Sequence, residues 1–485
     1  MNDSADRSRP PPAGPASFTQ LRGNLGPAQY FALGFGCIVG SGWLIIAGNW
    51  LAAAGPGGAA LGFLLGGAVI VIVGSCYAEL SARIPEAGSE FVYARRVFGS
   101  RVAFVVGWFL LLFFVATSIF EGLALGSIIQ VIMPSLATPT LYVALGERLS
   151  RNAVLLGVVA ALVIATANFR GISVAARLQS ILTYGFLIVA LLLLAGLQVH
   201  GTRSNLIPLF GSTASKPWYV GTLWIFATCG FLMNGFQAIP HAIEEKSQHI
   251  TAKAIAALIL ASIVASICFY CLVVISVGSS TPWKQIATQR MAAASAVRTL
   301  PFGGVLSTVL LYAGAASLLK TWNAMVLMGS RVLMAMARAG LAPRALGAVH
   351  PRFKSPANAV KLIATLNILG LFMGQKAIVP IVNMCAMTLT LNFAMCCAAV
   401  MLLRRRHGRA GVTFTVPGGY KVLWVGTLGA VAMVLSAFVS PWLQSVGKVP
   451  IEWILLFAWS LLGLVVWLTQ VEAGPSSLTE SNRRD

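Results

Sequence analysis

The stretch Gly34-Phe35-Gly36-Cys37-Ile38-Val39-Gly40-Ser41-Gly42 places four glycines and a serine inside the first segment apolar enough to cross a membrane. Glycine costs roughly 1 kcal/mol relative to alanine in a helix interior, so a cluster of it marks backbone built to unwind or to be approached closely. Lipid cannot satisfy free amides, so backbone unwound at that depth must line a cavity or face a ligand.

Composition supports that depth. The chain of 485 residues is 58% hydrophobic and 10% charged, against about 25% charged in soluble domains. Runs of about 20 apolar residues predict twelve crossings, near residues 30–52, 58–82, 102–133, 153–169, 178–199, 218–243, 254–277, 301–337, 359–374, 377–403, 421–440 and 452–471. The expected fold is an all-α polytopic membrane protein. The third and eighth runs exceed one crossing, which implies tilt or extension past the bilayer. Residues 1–20, rich in Pro, Ser and charge, read as a disordered tail with no cleavable signal peptide.

The formal net charge is +21. With twelve crossings both termini share a side. Placing that side in the cytoplasm puts 24 of the 34 Lys and Arg there and nine opposite, with Lys320 left inside a span. This bias predicts cytoplasmic termini; the expected location is the cell membrane, as a multi-pass protein of a bacterial inner membrane. The basic clusters read as topology determinants beside anionic lipid rather than as a nucleic-acid surface.

The eight cysteines all fall in apolar runs and read as small core residues. Cys268-Phe269-Tyr270-Cys271 has no second CxxC and no neighbouring His, so no metal is expected. Nothing in the sequence resembles a Walker loop, a Rossmann fingerprint or a hydrolase triad. Neither an enzyme nor a cofactor is expected.

Spans one to five (30–199) and six to ten (218–403) form two sets of five, and an odd-numbered repeat inserts its second copy upside down. The first helix of each set carries the break: Gly40-Ser41-Gly42 in one, Gly230-Phe231-Leu232-Met233-Asn234-Gly235 in the other, with Pro240 following. Matched interrupted helices point to a midplane binding site between repeats. Glycines that merely permit close helix packing are the competing reading.

Four blocks then resemble the amino acid-polyamine-organocation (APC) superfamily. They are Gly36 to Gly42, as G-x-x-x-G-S-G; Tyr77 to Gly99; Gly235-Phe236-Gln237 with Glu244-Glu245; and Ser330 to Pro343, continuing to Val349-His350-Pro351 and Pro356. A basic run followed by Val416-Pro417-Gly418-Gly419-Tyr420 is similar to the family's loop after span ten. The resemblance implies a LeuT-like five-plus-five inverted-repeat fold, a basic cytoplasmic loop at 404–420, two additional helices over 421–471 and a cytoplasmic tail at 472–485. It also implies alternating access around a central site for amino acids or related amines.

A half-helix starting near Gly40 offers N–H groups of Ser41, Gly42 and their neighbours Ile38 and Val39 to a carboxylate. The second break offers carbonyls of Phe231, Leu232 and Asn234 to an ammonium. Trp43 and Phe236 are candidate gates or pocket walls, with plain packing as the alternative.

Two charges lie inside spans, Glu121 and Lys320, each costing at least about 2.5 kcal/mol unless paired or solvated. Many APC members carry a lysine in span five; the corresponding Ile181-Leu182-Thr183-Tyr184-Gly185-Phe186-Leu187 lacks it. Lys320, beside Thr321, reads as a charge at the sodium-like position, either a sodium substitute or a protonation site. An ion pair with Glu121 and a snorkelling side chain are the alternatives. Glu79, Glu86 and Glu90, among Arg83, Arg95 and Arg96, read as loop-to-helix ion pairs, and Glu244-Glu245 as an inner latch. Gln237 departs from the family's usual acid.

The function expected is secondary transport of an amino acid, with the proton as coupling ion and the bilayer as surroundings. An exchanger and a non-transporting sensor or subunit are the rivals.

Overall fold

The computed structural model describes residues 26–86, 88–144, 147–170, 175–211, 217–241, 250–353, 355–408, 411–445 and 448–472. The expected N-terminal tail, Glu244-Glu245 and all but the first residue of the C-terminal tail lie outside these residues.

Among the described residues nine helices are long and apolar enough to cross a membrane, and two shorter apolar helices accompany them. Helix α1 (Pro27–Ile38) starts with proline at its first turn, where a missing N–H costs nothing. Gln29 Oε1 accepts from Gly26 N at 2.8 Å there. Helix α2 (Trp43–Arg83) carries non-helical Gly55 at φ 70° and ψ 172°, followed by Pro56. Only glycine tolerates that left-handed backbone readily, and a Cβ there would stand 2.5 Å from Gly211 N. The first expected span is thus divided at residues 39–42, and its second half runs into the second span through the Gly55 kink.

Helix α3 (Ser89–Phe98) is a short amphipathic piece before α4 (Ser100–Ile132). The 33 residues of α4 give a length of about 50 Å, well beyond the roughly 30 Å hydrocarbon core. The expectation of an all-helical chain needs one correction. Strands β1 (Thr140–Ala144) and β2 (Glu147–Ser150) pair antiparallel, with Tyr142 opposite Leu149. The aromatic and β-branched residues Thr140, Tyr142 and Val143 favour extended backbone between spans.

Helices α5 (Arg151–Arg170) and α6 (Ala175–His200) follow. Helix α7 (Trp218–Leu232) stops at a turn that leads into the single turn α8 (Ala238–His241). Then come α9 (Ala252–Ser280), capped by the Thr251 hydroxyl, the short α10 (Trp283–Ile286) and α11 (Ala292–Val297), and α12 (Gly303–Arg338). The chain ends with α13 (Ala357–Leu371), α14 (Ile378–His407), α15 (Gly419–Gln444) and α16 (Ile451–Glu472).

Helix α2 packs most extensively on α9 and α7, and α12 on α4. Small residues set the contact of α2 with α7: a Cβ on Gly62 would meet Ile225 at 2.8 Å, and one on Gly221 would meet Ala53 O at 1.9 Å. Such close approach is how helices gain van der Waals energy where lipid offers no hydrophobic driving force. The packing brings the broken ends of α1 and α7 to the centre.

Candidate functional site

The first break is residues 39–42. The last hydrogen bond of α1 runs from Val39 N to Phe35 O, and the next half-helix opens with Leu44 N to Ser41 O. Among the described residues no bond is donated by the N–H of Gly40, Ser41 or Gly42. These are the orphan donors of a helix start, with the positive end of its dipole behind them. The Ser41 side chain is committed elsewhere, donating to Gly314 O in α12 at 2.7 Å.

The second break is residues 233–237, three residues later than the glycine spacing suggests. Gly230 stays helical because it serves packing: a Cβ there would lie 2.6 Å from Thr390 Cγ2. Gly235 is the residue that turns, at φ +124°, and a Cβ on it would stand 2.5 Å from both Cys37 C and Ile38 N. The second unwound segment therefore touches the last turn of α1, immediately before the first break, backbone to backbone. Gln237 holds the turn, its Oε1 accepting from Gly235 N at 2.7 Å.

Two of the three carbonyls expected to face a ligand have partners within the protein. Phe231 O accepts from the Asn234 side-chain amide, and Leu232 O lies 3.0 Å from the Tyr270 hydroxyl. The same hydroxyl lies 3.0 Å from Ile38 O, so one side chain of α9 joins both breaks. Sequence reasoning passed over Tyr270 as the middle of a CxxC spacing. Its signal was the phenol itself, which needs a hydrogen-bond partner when buried.

Aromatic rings surround the breaks. Phe120 packs edge-on to Phe231 at 5.4 Å, and its ring tip would lie 3.1 Å from a Cβ on Gly42. Trp43 packs on Phe269 at 5.8 Å and Phe186 at 6.3 Å. Phe236 belongs to a separate cluster, with Tyr77 at 5.2 Å and Phe393 at 5.8 Å. The two expected gate residues thus serve different walls.

Lys320 is 5% exposed, so it does not snorkel. Its Nζ donates to Gly36 O and to Thr183 Oγ1, both at 3.0 Å. The lysine of α12 thereby reaches the α6 stretch from which the family's lysine is missing. No direct ion pair joins it to Glu121 among the described residues. Glu121 lies near Lys320 and the Thr321 hydroxyl, and its Oε2 is buried without a hydrogen-bond partner. Thr321 bonds back to Ser317 O and Leu318 O and sits against Gly40, 3.3 Å from where a Cβ would be. An acidic group does therefore stand beside the first break.

Beyond Phe236, the far end of α2 is pinned. Glu79, fully buried, accepts from Arg83 Nε and Nη2 at 3.0 and 2.8 Å, from Arg404 Nε at 2.9 Å and from Val416 N at 2.8 Å. Arg83 is one of the three arginines expected to pair with these acids, and Arg404 of α14 is a further partner from across the fold. Glu86 pairs with Arg96 at 2.6 Å, whereas Glu90 faces His241 and Tyr77. At the opposite end of α2's first half, near Gly55, a cavity of about 540 Å³ is lined by Asn49, Ala53, Trp224, Trp283, Lys284 and Gln444 among others. Among the described residues no cluster of His, Cys, Asp or Glu could hold a metal ion.

Helices long and apolar enough to cross a membrane, with α1 and α7 interrupted beside one another, are the architecture of a multi-pass membrane transporter. The chain belongs to the amino acid permease family, whose model matches residues 25–466. It is 24% identical over 454 residues to the branched-chain amino acid permease BcaP of Bacillus subtilis, covering 92% of each chain. It is 25% identical to the methylthioribose transporter of that organism, covering 90% of each. It is also 26% identical to its serine/threonine exchanger SteT, covering 82% of this chain and 87% of that one.

Proposed function

We propose that this permease imports a neutral amino acid by proton-coupled alternating access. The observation that carries the reading is the contact of the second break with the last turn of α1, with the Lys320 amine fixed beside them. The substrate carboxylate docks on the N–H groups of Gly40, Ser41 and Gly42, and the ammonium on the carbonyl cluster of Ile38, Phe231, Leu232 and Asn234. Rings of Phe120, Phe231 and Trp43 favour an uncharged side chain, and Glu121 and Lys320 offset one another. The name of the branched-chain relative accords with this choice.

In this reading Gly55 is a turn between two crossings, which gives twelve, with residues 30–199 and 218–403 as inverted repeats and both termini cytoplasmic in an inner membrane. The 540 Å³ cavity then opens outward, while Glu79 and Arg404 close the inner face. Protonated Lys320 ties α1 to α6 through Gly36 O and Thr183. Loss of its charge weakens both bonds and frees the α1 half-helix to move.

Proteoliposomes test this with leucine, valine and serine as probes. Uptake driven by an imposed pH gradient without internal amino acid supports symport. A strict requirement for internal amino acid supports the exchanger reading that the SteT likeness favours, and binding without flux supports a sensor.

A further inference from the structure

Directly beneath the second break, a chamber of about 10 Å³ is lined by Glu90, Asn234, Gly235, Gln237 and His241, room for about one water with several polar partners. Glu90 is 1% exposed. Its Oε1 accepts from the Tyr77 hydroxyl at 2.9 Å, but its Oε2 has no hydrogen-bond partner. His241 Nε2 stands 3.6 Å from that oxygen, too far for a direct hydrogen bond and near enough for strong attraction once the ring is charged. A buried, half-satisfied carboxylate therefore faces a titratable ring across space that fits one water.

The other titratable groups facing Glu90 among the described residues are Tyr77 of α2, Tyr93 of α3 and Cys396 of α14. From α4 and α12 the chamber receives only Leu110, Phe113, Phe114 and Met328. Burial pushes the Glu90 carboxyl up, yet the attraction of His241 outweighs it and leaves the group below its ordinary value.

We propose that Glu90, His241 and one bridging water form a proton-binding site that latches α8 against α3 and opens when its proton leaves to the cytoplasm. The site lies on the cytoplasmic side of the break, whereas Lys320 lies beside α1, so the two are separate stations. With the proton bound, imidazolium and carboxylate hold α8 shut under the second break. Without it the attraction is lost and α8 is free to swing. This inference rests on the proton-coupled reading and on its cytoplasmic assignment.

The test is leucine counterflow in proteoliposomes at equal pH on both faces, from about pH 6 to about pH 8. The wild-type rate is expected to rise about tenfold across that range as the latch empties. His241→Gln, which keeps a polar side chain but binds no proton, is expected to vary less than about twofold. Glu90→Gln should flatten the profile likewise; if it fails to fold, His241→Gln carries the test alone. A His241→Gln profile that superimposes on wild type overturns the inference, as does a wild-type rate that does not change with pH. Uptake under an imposed pH gradient, run on the same vesicles, tells failure of the latch alone from failure of proton coupling.

Discussion

The ammonium of Lys320 stands 3.0 Å from the hydroxyl of Thr183, joining α12 to α6 at the level of the first break. Lys320→Met removes the charge and both bonds while roughly keeping the volume. Uptake should lose its response to the pH gradient while amino acid binding, read by thermal shift, persists. Adding Thr183→Lys puts a lysine on α6 facing the same space and should restore part of the response. Unchanged pH dependence of Lys320→Met at normal expression would remove the coupling role.

Tyr270 spans both breaks with one hydroxyl proton, which it can give to only one of Ile38 O and Leu232 O at a time. Its ring is stacked on Phe63 at 5.1 Å and 8°, so Tyr270→Phe preserves the packing and removes only the hydroxyl. The loss is worth about 1 kcal/mol, and KM should rise about fivefold with little change in maximal rate. An equal fall in both the rate and the apparent affinity would point to general damage instead.

Gly235→Ala is expected to be far more severe. The new Cβ would meet Cys37 C and Ile38 N at 2.5 Å, on a residue held at φ +124°. Neither backbone can give way without parting the two breaks, so the cost should exceed about 2 kcal/mol, with transport lost. Gly185→Ala is the control: it is helical, nothing lies within 4 Å of the new Cβ, and the change should stabilise by up to about 1 kcal/mol. Similar melting temperatures for the two variants would contradict the backbone contact.

What could be read along the chain was what is local. Gly40-Ser41-Gly42 breaks its helix because three poor helix formers stand together, and apolar runs mark spans without reference to partners. The second break was misjudged by three residues because Gly230 and Gly235 look alike in sequence. Only the packed neighbours, Thr390 against one and Cys37-Ile38 against the other, separate a packing glycine from a turning one. The partners of Lys320 and Tyr270 were hidden for a related reason. Gly36 is 284 residues from Lys320, and Ile38 is 232 from Tyr270, so no periodicity connects them. Residue chemistry flagged Lys320 and Glu121 as groups needing partners, and the fold had to supply which.

Glu79 and Arg404, 325 residues apart, make the last case, where the direction of the effect depends on which partner is removed. Arg404→Leu leaves a fully buried carboxylate with Arg83 and Val416 N as its remaining donors, and breaking a buried pair from one side costs about 3–5 kcal/mol. Arg404 also bonds Val416 O at 3.2 Å, so the same change unfastens the loop before α15. Adding Glu79→Gln and Arg83→Met to Arg404→Leu removes the whole charge cluster, since Glu79→Gln without the second change would strand the Arg83 cation, only 8% exposed; the triple variant should recover more than half of the lost melting temperature by the same reasoning. Transport by the triple variant should nonetheless leak, because the inner face then lacks the pin that joins α2 to α14. Melting curves and passive efflux from loaded vesicles separate the two effects. A triple variant no more stable than Arg404→Leu would mean that Arg404 acts through packing rather than through its charge on Glu79.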